Sequence, residues 1–124
     1  MITRKFNSET GILETKFEGK ITIKQVTDYI LSISNDKTLP KKLKIFSDAT
    51  KAIFNENITP NDLKKIVEAN YKSLAVREYI YDAFIISSSL EMALGQLYME
   101  FSKSENYYFN LFSTKEAAIN WLIN

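Results

Sequence analysis

Ala83-Phe84-Ile85-Ile86-Ser87-Ser88-Ser89 decides how this chain is read. Four apolar residues without alternation are what a strand covered on both faces requires. The serines behind them supply the hydroxyls that open a helix. A buried strand running straight into a helix is half of a β-α unit, and units of that kind build parallel sheets.

Working outward from that stretch, the same grammar recurs. After the serines, Leu90, Ala93, Leu94, Leu97, Tyr98 and Phe101 recur at helical spacing and are expected to face inward, leaving Met92, Gly95 and Met99 outside that stripe. Residues 107–112 read as the last strand. Ser113-Thr114-Lys115-Glu116 then has the form of a capping box before Ala117, Ala118, Trp121 and Leu122. Upstream, Thr59-Pro60-Asn61-Asp62 joins a capping hydroxyl, a proline at the first helical position and an acid in the first turn. Leu63, Ile66, Val67, Tyr71, Leu74 and Ala75 continue that helix. Leu43-Lys44-Ile45-Phe46-Ser47-Asp48 is a short strand, and residues 49–58 read as an irregular segment. Thr22 is placed to cap a helix with Ile23, Val26, Ile30 and Ile33 on one side. Residues 2–6 and 11–18 form two strands. In the second, Leu13, Thr15 and Phe17 alternate with Glu14, Lys16 and Glu18 until Gly19 breaks the pattern.

The resulting order is β-β-α-β-α-β-α-β-α over residues 1–124, one α/β domain with a mostly parallel five-stranded sheet and one antiparallel edge strand. Hydrophobic residues at 45% and charged residues at 25% are globular values. With 16 basic and 15 acidic residues, the net charge of +1 supplies no field for gathering nucleic acid. No stretch approaches the roughly 18 apolar residues of a membrane span, and the start has no apolar run of signal-peptide type. A cytoplasmic protein is expected.

The chain contains neither cysteine nor histidine. That removes disulfides, thiol nucleophiles, thiolate and imidazole metal ligands, and any Ser-His-Asp triad. No metal or cofactor is expected, and catalysis is not the expected role. A carboxylate and hydroxyl hydrolase built on Asp48 and a strand-end serine is the remaining enzymatic reading.

The layout resembles the SpoIIAA-like, or STAS-like, superfamily. The resemblance rests on Gly19 after the second strand, Asp48 at the end of the third, and Ser113-Thr114-Lys115-Glu116-Ala117-Ala118 before Trp121-Leu122. It implies a curved sheet with strand order 1-2-3-4-5 and a domain that binds, as anti-anti-sigma regulators and appended sensory or transporter modules do. Asp48-Ala49-Thr50 matches the first piece of the family's regulatory motif. In the second piece, Asn57 falls where the phosphorylated serine would lie and the glycine is missing, so a small stand-alone member without the phospho-acceptor motif is implied.

Two groups of candidate site residues follow. Asp48, Thr50, Ser87, Ser88, Ser89, Ser113 and Thr114 are expected at the C-terminal strand ends, where α/β folds bind ligands; helix capping alone would also explain the hydroxyls. Seven Tyr, eight Phe and one Trp form an aromatic excess. Alternation assigns Phe46, Phe84 and Phe112 to one sheet side, with Lys44, Asp48, Asp82, Ile86, Tyr108 and Asn110. Ile45, Ala83, Ile85, Phe109 and Leu111 take the other. With all helices expected on one face, the aromatic face needs a cover. A non-catalytic regulatory or interaction module is therefore expected, a homodimer or partner-binding protein acting through that face or through Met92 and Met99. A small-molecule or lipid-like ligand carrier with an aromatic pocket is the alternative.

Overall fold

The computed structural model describes residues 1–54 and 58–124. Strands β1 (Ile2–Asn7), β2 (Ile12–Ile21), β3 (Lys42–Phe54), β4 (Tyr79–Ile85) and β5 (Tyr107–Phe112) form a single sheet in the order β1-β2-β3-β4-β5. β1 pairs antiparallel with β2, and the remaining neighbours are parallel. Helices α1 (Ile23–Asn35), α2 (Pro60–Leu74), α3 (Ser89–Phe101) and α4 (Lys115–Ile123) each follow a strand, apart from the β1–β2 hairpin. The expected element order and mostly parallel sheet are therefore present.

Local chemistry sets the helix starts. Thr22 and Gln25 form a reciprocal capping box on α1, and Thr59 and Asp62 do so on α2, with Pro60 in the first turn. On α4 the cap is Thr114, whose hydroxyl accepts from the Ala117 N–H, one residue later than the expected box starting at Ser113. α1 ends against an unusual cap. The buried Arg77 guanidinium donates to the carbonyls of Ile33 at 2.7 Å, Asp36 at 3.0 Å and Leu39 at 3.4 Å. A cation there meets both the unpaired carbonyls and the negative end of the helix dipole.

Two expectations about the strands are corrected. β3 does not stop at Asp48; it continues to Phe54, because β2 is itself longer and pairs with it as far as Ile21↔Phe54. Gly19, at φ +71°, does not end β2 either: it lies just past a register shift between Lys16 and Glu18, a bulge that glycine tolerates and the strand survives.

The register also corrects the assignment of faces. Phe46 pairs with Ala83, and Ala83 with Asn110, so Ala83 and Ile85 share a side with Phe46 and Phe112. Phe84 pairs with Ser47 and Leu111 and lies on the opposite side, together with Asp82. Alternation within a strand cannot show how adjacent strands are phased, and a one-residue difference in pairing exchanges the faces.

Helices α1, α2 and α3 cover the face carrying Leu13, Leu43, Ile45 and Ile80. The other face is covered by α4, whose Ala118 and Leu122 are fully buried against Ile12, Phe46, Ala83 and Ile85. The expectation that all helices share one face fails because α4 trails the last strand. It crosses over to no further strand and is free to fold beneath the sheet.

Candidate functional site

The faces differ in what they enclose. Beneath α4, Phe46 is 4% exposed, and Phe112 and Tyr81 meet Trp121 at ring separations of 5.6 and 5.4 Å, beside an open groove lined by Tyr79, Tyr81 and Tyr108. Between the sheet and α1–α3 lies a cavity of about 130 Å³. Seven aromatic residues line it: Phe17, Tyr29, Phe54, Phe84, Tyr98, Tyr107 and Phe109. Aliphatic side chains of α1 and α2, among them Ile30, Ile33, Leu63 and Ile66, complete the wall.

A polar chain runs through this apolar wall. The Asn70 amide donates to the Tyr98 hydroxyl, and the Tyr98 and Tyr107 hydroxyls are 2.9 Å apart. Tyr107 donates to Asp82 Oδ2 at 3.4 Å, and Ser47 donates to Asp82 Oδ1 at 2.9 Å. The two Asp82 oxygens thus each accept one bond, and the tyrosine pair links them to Asn70. Nearby, the Tyr29 and Thr15 hydroxyls share a 2.7 Å bond.

Burial pushes the Asp82 carboxyl up to about 7, against the partial compensation of the Ser47 and Tyr107 hydrogen bonds. Burial likewise raises Tyr29, Tyr98 and Tyr107, and the Asp82 charge raises each of them further. These phenols stay protonated donors throughout the ordinary pH range. A buried acid with a perturbed pKa, lining an apolar cavity, is the usual mark of a functional site.

β4 puts Asp82 there. In Tyr79-Ile80-Tyr81-Asp82-Ala83-Phe84-Ile85 the even positions face the cavity and the odd positions face α4. Ser47 reaches Asp82 from β3, Tyr107 from β5, Tyr98 from α3 and Asn70 from α2.

The sequence-predicted residues divide differently. Asp48, Thr50, Ser87 and Ser88 do come together, but each serves the backbone. The Asp48 carboxylate accepts from the Thr50 N–H at 3.0 Å and hydroxyl at 2.7 Å. Ser87 donates to the Thr50 carbonyl at 3.1 Å, and Ser88 caps α3. None of the four lines the cavity. Asp48 and the strand-end serines therefore lie apart from the cavity. Phe84 alone among the three phenylalanines faces the cavity, while Phe46 and Phe112 belong to the α4 side. Met92 is 36% exposed and Met99 is half-buried. The expected inward stripe of α3 is rotated: Leu90 and Leu97 are exposed, and Glu91, Leu94, Gly95 and Tyr98 face the cavity. Gly95 lies so close to Leu111 that a Cβ would meet its Cδ2 at 2.9 Å. With apolar residues all round α3, periodicity alone could not choose the buried side. Asn57 lies outside the described residues.

Asp82 was missed, although a signal existed: an acid amid the apolar residues of a central parallel strand costs several kcal/mol unless it is partnered or neutral. Among the described residues, no group of three or more metal-ligating side chains forms, and no helix is long and apolar enough to cross a membrane.

This architecture is the SpoIIAA-like fold, as the resemblance in the sequence implied. It is shared with an uncharacterised protein of the DUF3478 family from Shewanella loihica PV-4, whose solved structure is described as SpoIIAA-like. That likeness covers 98% of this chain and 92% of the other, with a TM-score of 0.60 and 18% sequence identity. No protein-family profile and no curated protein matches the chain.

Proposed function

We propose that this protein is a non-catalytic binding protein of the cytoplasm whose α1–α3 face holds a small molecule with an apolar body. The observation that carries this reading is the aromatic cavity of about 130 Å³ around the Asp82 carboxyl group. An apolar cavity of roughly 150 Å³ holds a benzene-sized guest, so the volume suits a compact ligand rather than a long acyl chain. Binding is favoured over catalysis because Asp82 is surrounded by hydroxyls and an amide. Among the described residues, no imidazole, thiol or amine lines the cavity to complete an acid–base or nucleophilic pair. Native mass spectrometry of freshly purified protein tests the reading. A retained small-molecule mass, lost on Gly95→Leu substitution that fills the cavity, is expected. A bare polypeptide that also fails to take up compact aromatic compounds would count against it.

A homodimer through α3 is a second reading, carried by the outward-facing Leu90, Met92 and Leu97, which are 53%, 36% and 37% exposed. Exposed apolar residues on one helix are what an interface core contains. Sedimentation is expected to give a dimer that Leu90→Lys with Leu97→Lys dissociates. A strict monomer at tens of micromolar would remove this reading and leave the cavity untouched.

A further inference from the structure

We propose that the cavity selects a small organic ammonium ion, with Asp82 as its counter-ion and the aromatic wall around its apolar substituent. This deepens the binding role proposed above and rests on it.

Charge supplies the first argument. Among the described residues that line the cavity, Asp82 and Glu91 are the only ionisable groups other than tyrosines, and no lysine or arginine joins them. An anionic ligand would therefore enter an apolar space holding two acids and no compensating cation. Burying an unpaired charge is strongly unfavourable, and like charges add to that cost. A cation finds the reverse situation.

Hydrogen-bond capacity supplies the second. Asp82 accepts one bond on each oxygen, from Ser47 and Tyr107, whereas a carboxylate offers about four acceptor sites. The free sites require a donor. The Ser47 and Tyr107 oxygens also keep acceptor lone pairs beside the carboxylate. An ammonium group carries three donors and no acceptor, and so matches a carboxylate with acceptor sites to spare.

Aromatic geometry supplies the third. Phe109 packs within 4.9 Å of Tyr98, 5.7 Å of Phe84 and 6.4 Å of Tyr107, measured between ring centroids. Ring faces attract cations and repel anions, and desolvation strengthens that preference. The same rings accommodate the ligand's hydrocarbon part.

Three probes of one size and different heads test this: benzylamine, ethylbenzene and benzoate, titrated at pH 8 and followed by NMR shifts of the intact protein. Benzylamine is expected to bind at least tenfold more tightly than ethylbenzene, and benzoate not detectably. Asp82→Asn is expected to lower benzylamine affinity at least tenfold while ethylbenzene still binds, which also reports that the variant's cavity is intact. Equal affinities in the wild type, a preference for ethylbenzene or benzoate, or benzylamine binding unchanged by Asp82→Asn would overturn the ammonium assignment and leave the cavity reading standing. If none of the three binds, both fall. The wild-type ranking decides even if the variant fails to fold.

Discussion

The two faces of this sheet are built from alternate residues of the same strands, yet they are packed to different ends. Under α4, Phe46, Ala83, Ile85, Ala118 and Leu122 pack together as a buried apolar cluster. Charge is kept to the rim, where Lys115 lies over the Phe46 ring at 5.4 Å and 3.6 Å from Glu14. Under α1–α3, an acid, three phenols and an amide are enclosed around open space. Continuous apolar packing stabilises a fold at no polar cost, whereas an enclosed carboxyl group beside a cavity opposes it. The α4 face closes over Phe46, while the larger cluster of buried residues lies on the α1–α3 face and surrounds the cavity.

That contrast can be broken by substitution. Phe46→Ala is expected to cost about 3–5 kcal/mol, because it opens a void in filled packing. Phe109→Ala, facing space that already exists from a half-buried position, is expected to cost about 2 kcal/mol. Urea denaturation of the two variants checks the ranking, and equal losses would erase the distinction between the faces.

The next largest effect concerns pH. The Asp82 carboxyl titrates near 7 in the folded protein, against an ordinary 3.8. Between those values the folded state holds a proton that the unfolded state has released, so stability falls as pH rises through that window. Asp82→Asn is expected to remove this slope and to gain up to about 4 kcal/mol over wild type at pH 8, with little difference at pH 4. Parallel denaturation series at the two pH values would show it. A wild-type stability that rises from pH 4 to 8 in step with that of the variant would contradict the burial of this acid.

Arg77→Ala sharpens the comparison from outside the site. It removes the donors to three carbonyls at the end of α1 and is expected to cost about 2–3 kcal/mol, measured by urea denaturation, without altering ligand affinity. Gly95→Ala has the smallest expected effect on stability, within about 1 kcal/mol, since better helix propensity offsets the shift it asks of Leu111. It narrows the cavity, however, and a several-fold loss of benzylamine affinity in NMR titration is the expected signature.

Much of the fold was legible because its signals are local. Thr22 and Thr59 cap the helices beginning beside them, and the alternation of Leu13, Thr15 and Phe17 marks one buried face. What was not legible depends on relations between distant segments. The pairing of Phe46 with Ala83 separates Phe84 from Phe46, and no pattern inside either strand encodes it. The polar chain joins residues 47, 70, 82, 98 and 107 from five elements, each of which alone reads as an ordinary core or surface residue. Ser87 and Ser88 follow the end of β4, where they bond a carbonyl and cap α3, whereas Asp48 lies within the long β3 and bonds Thr50. The informative residue was the acid inside a strand, where solvation could not account for it.

Methyl-resolved NMR during a titration with ethylbenzene tests the central claim most directly. The methyl groups of Ile30, Leu94 and Leu111, which line the cavity, are expected to shift saturably, while those of Ile119 and Leu122 on α4 stay in place. Shifts of equal size on both faces, or none on either, would contradict the assignment of the binding site to the α1–α3 face.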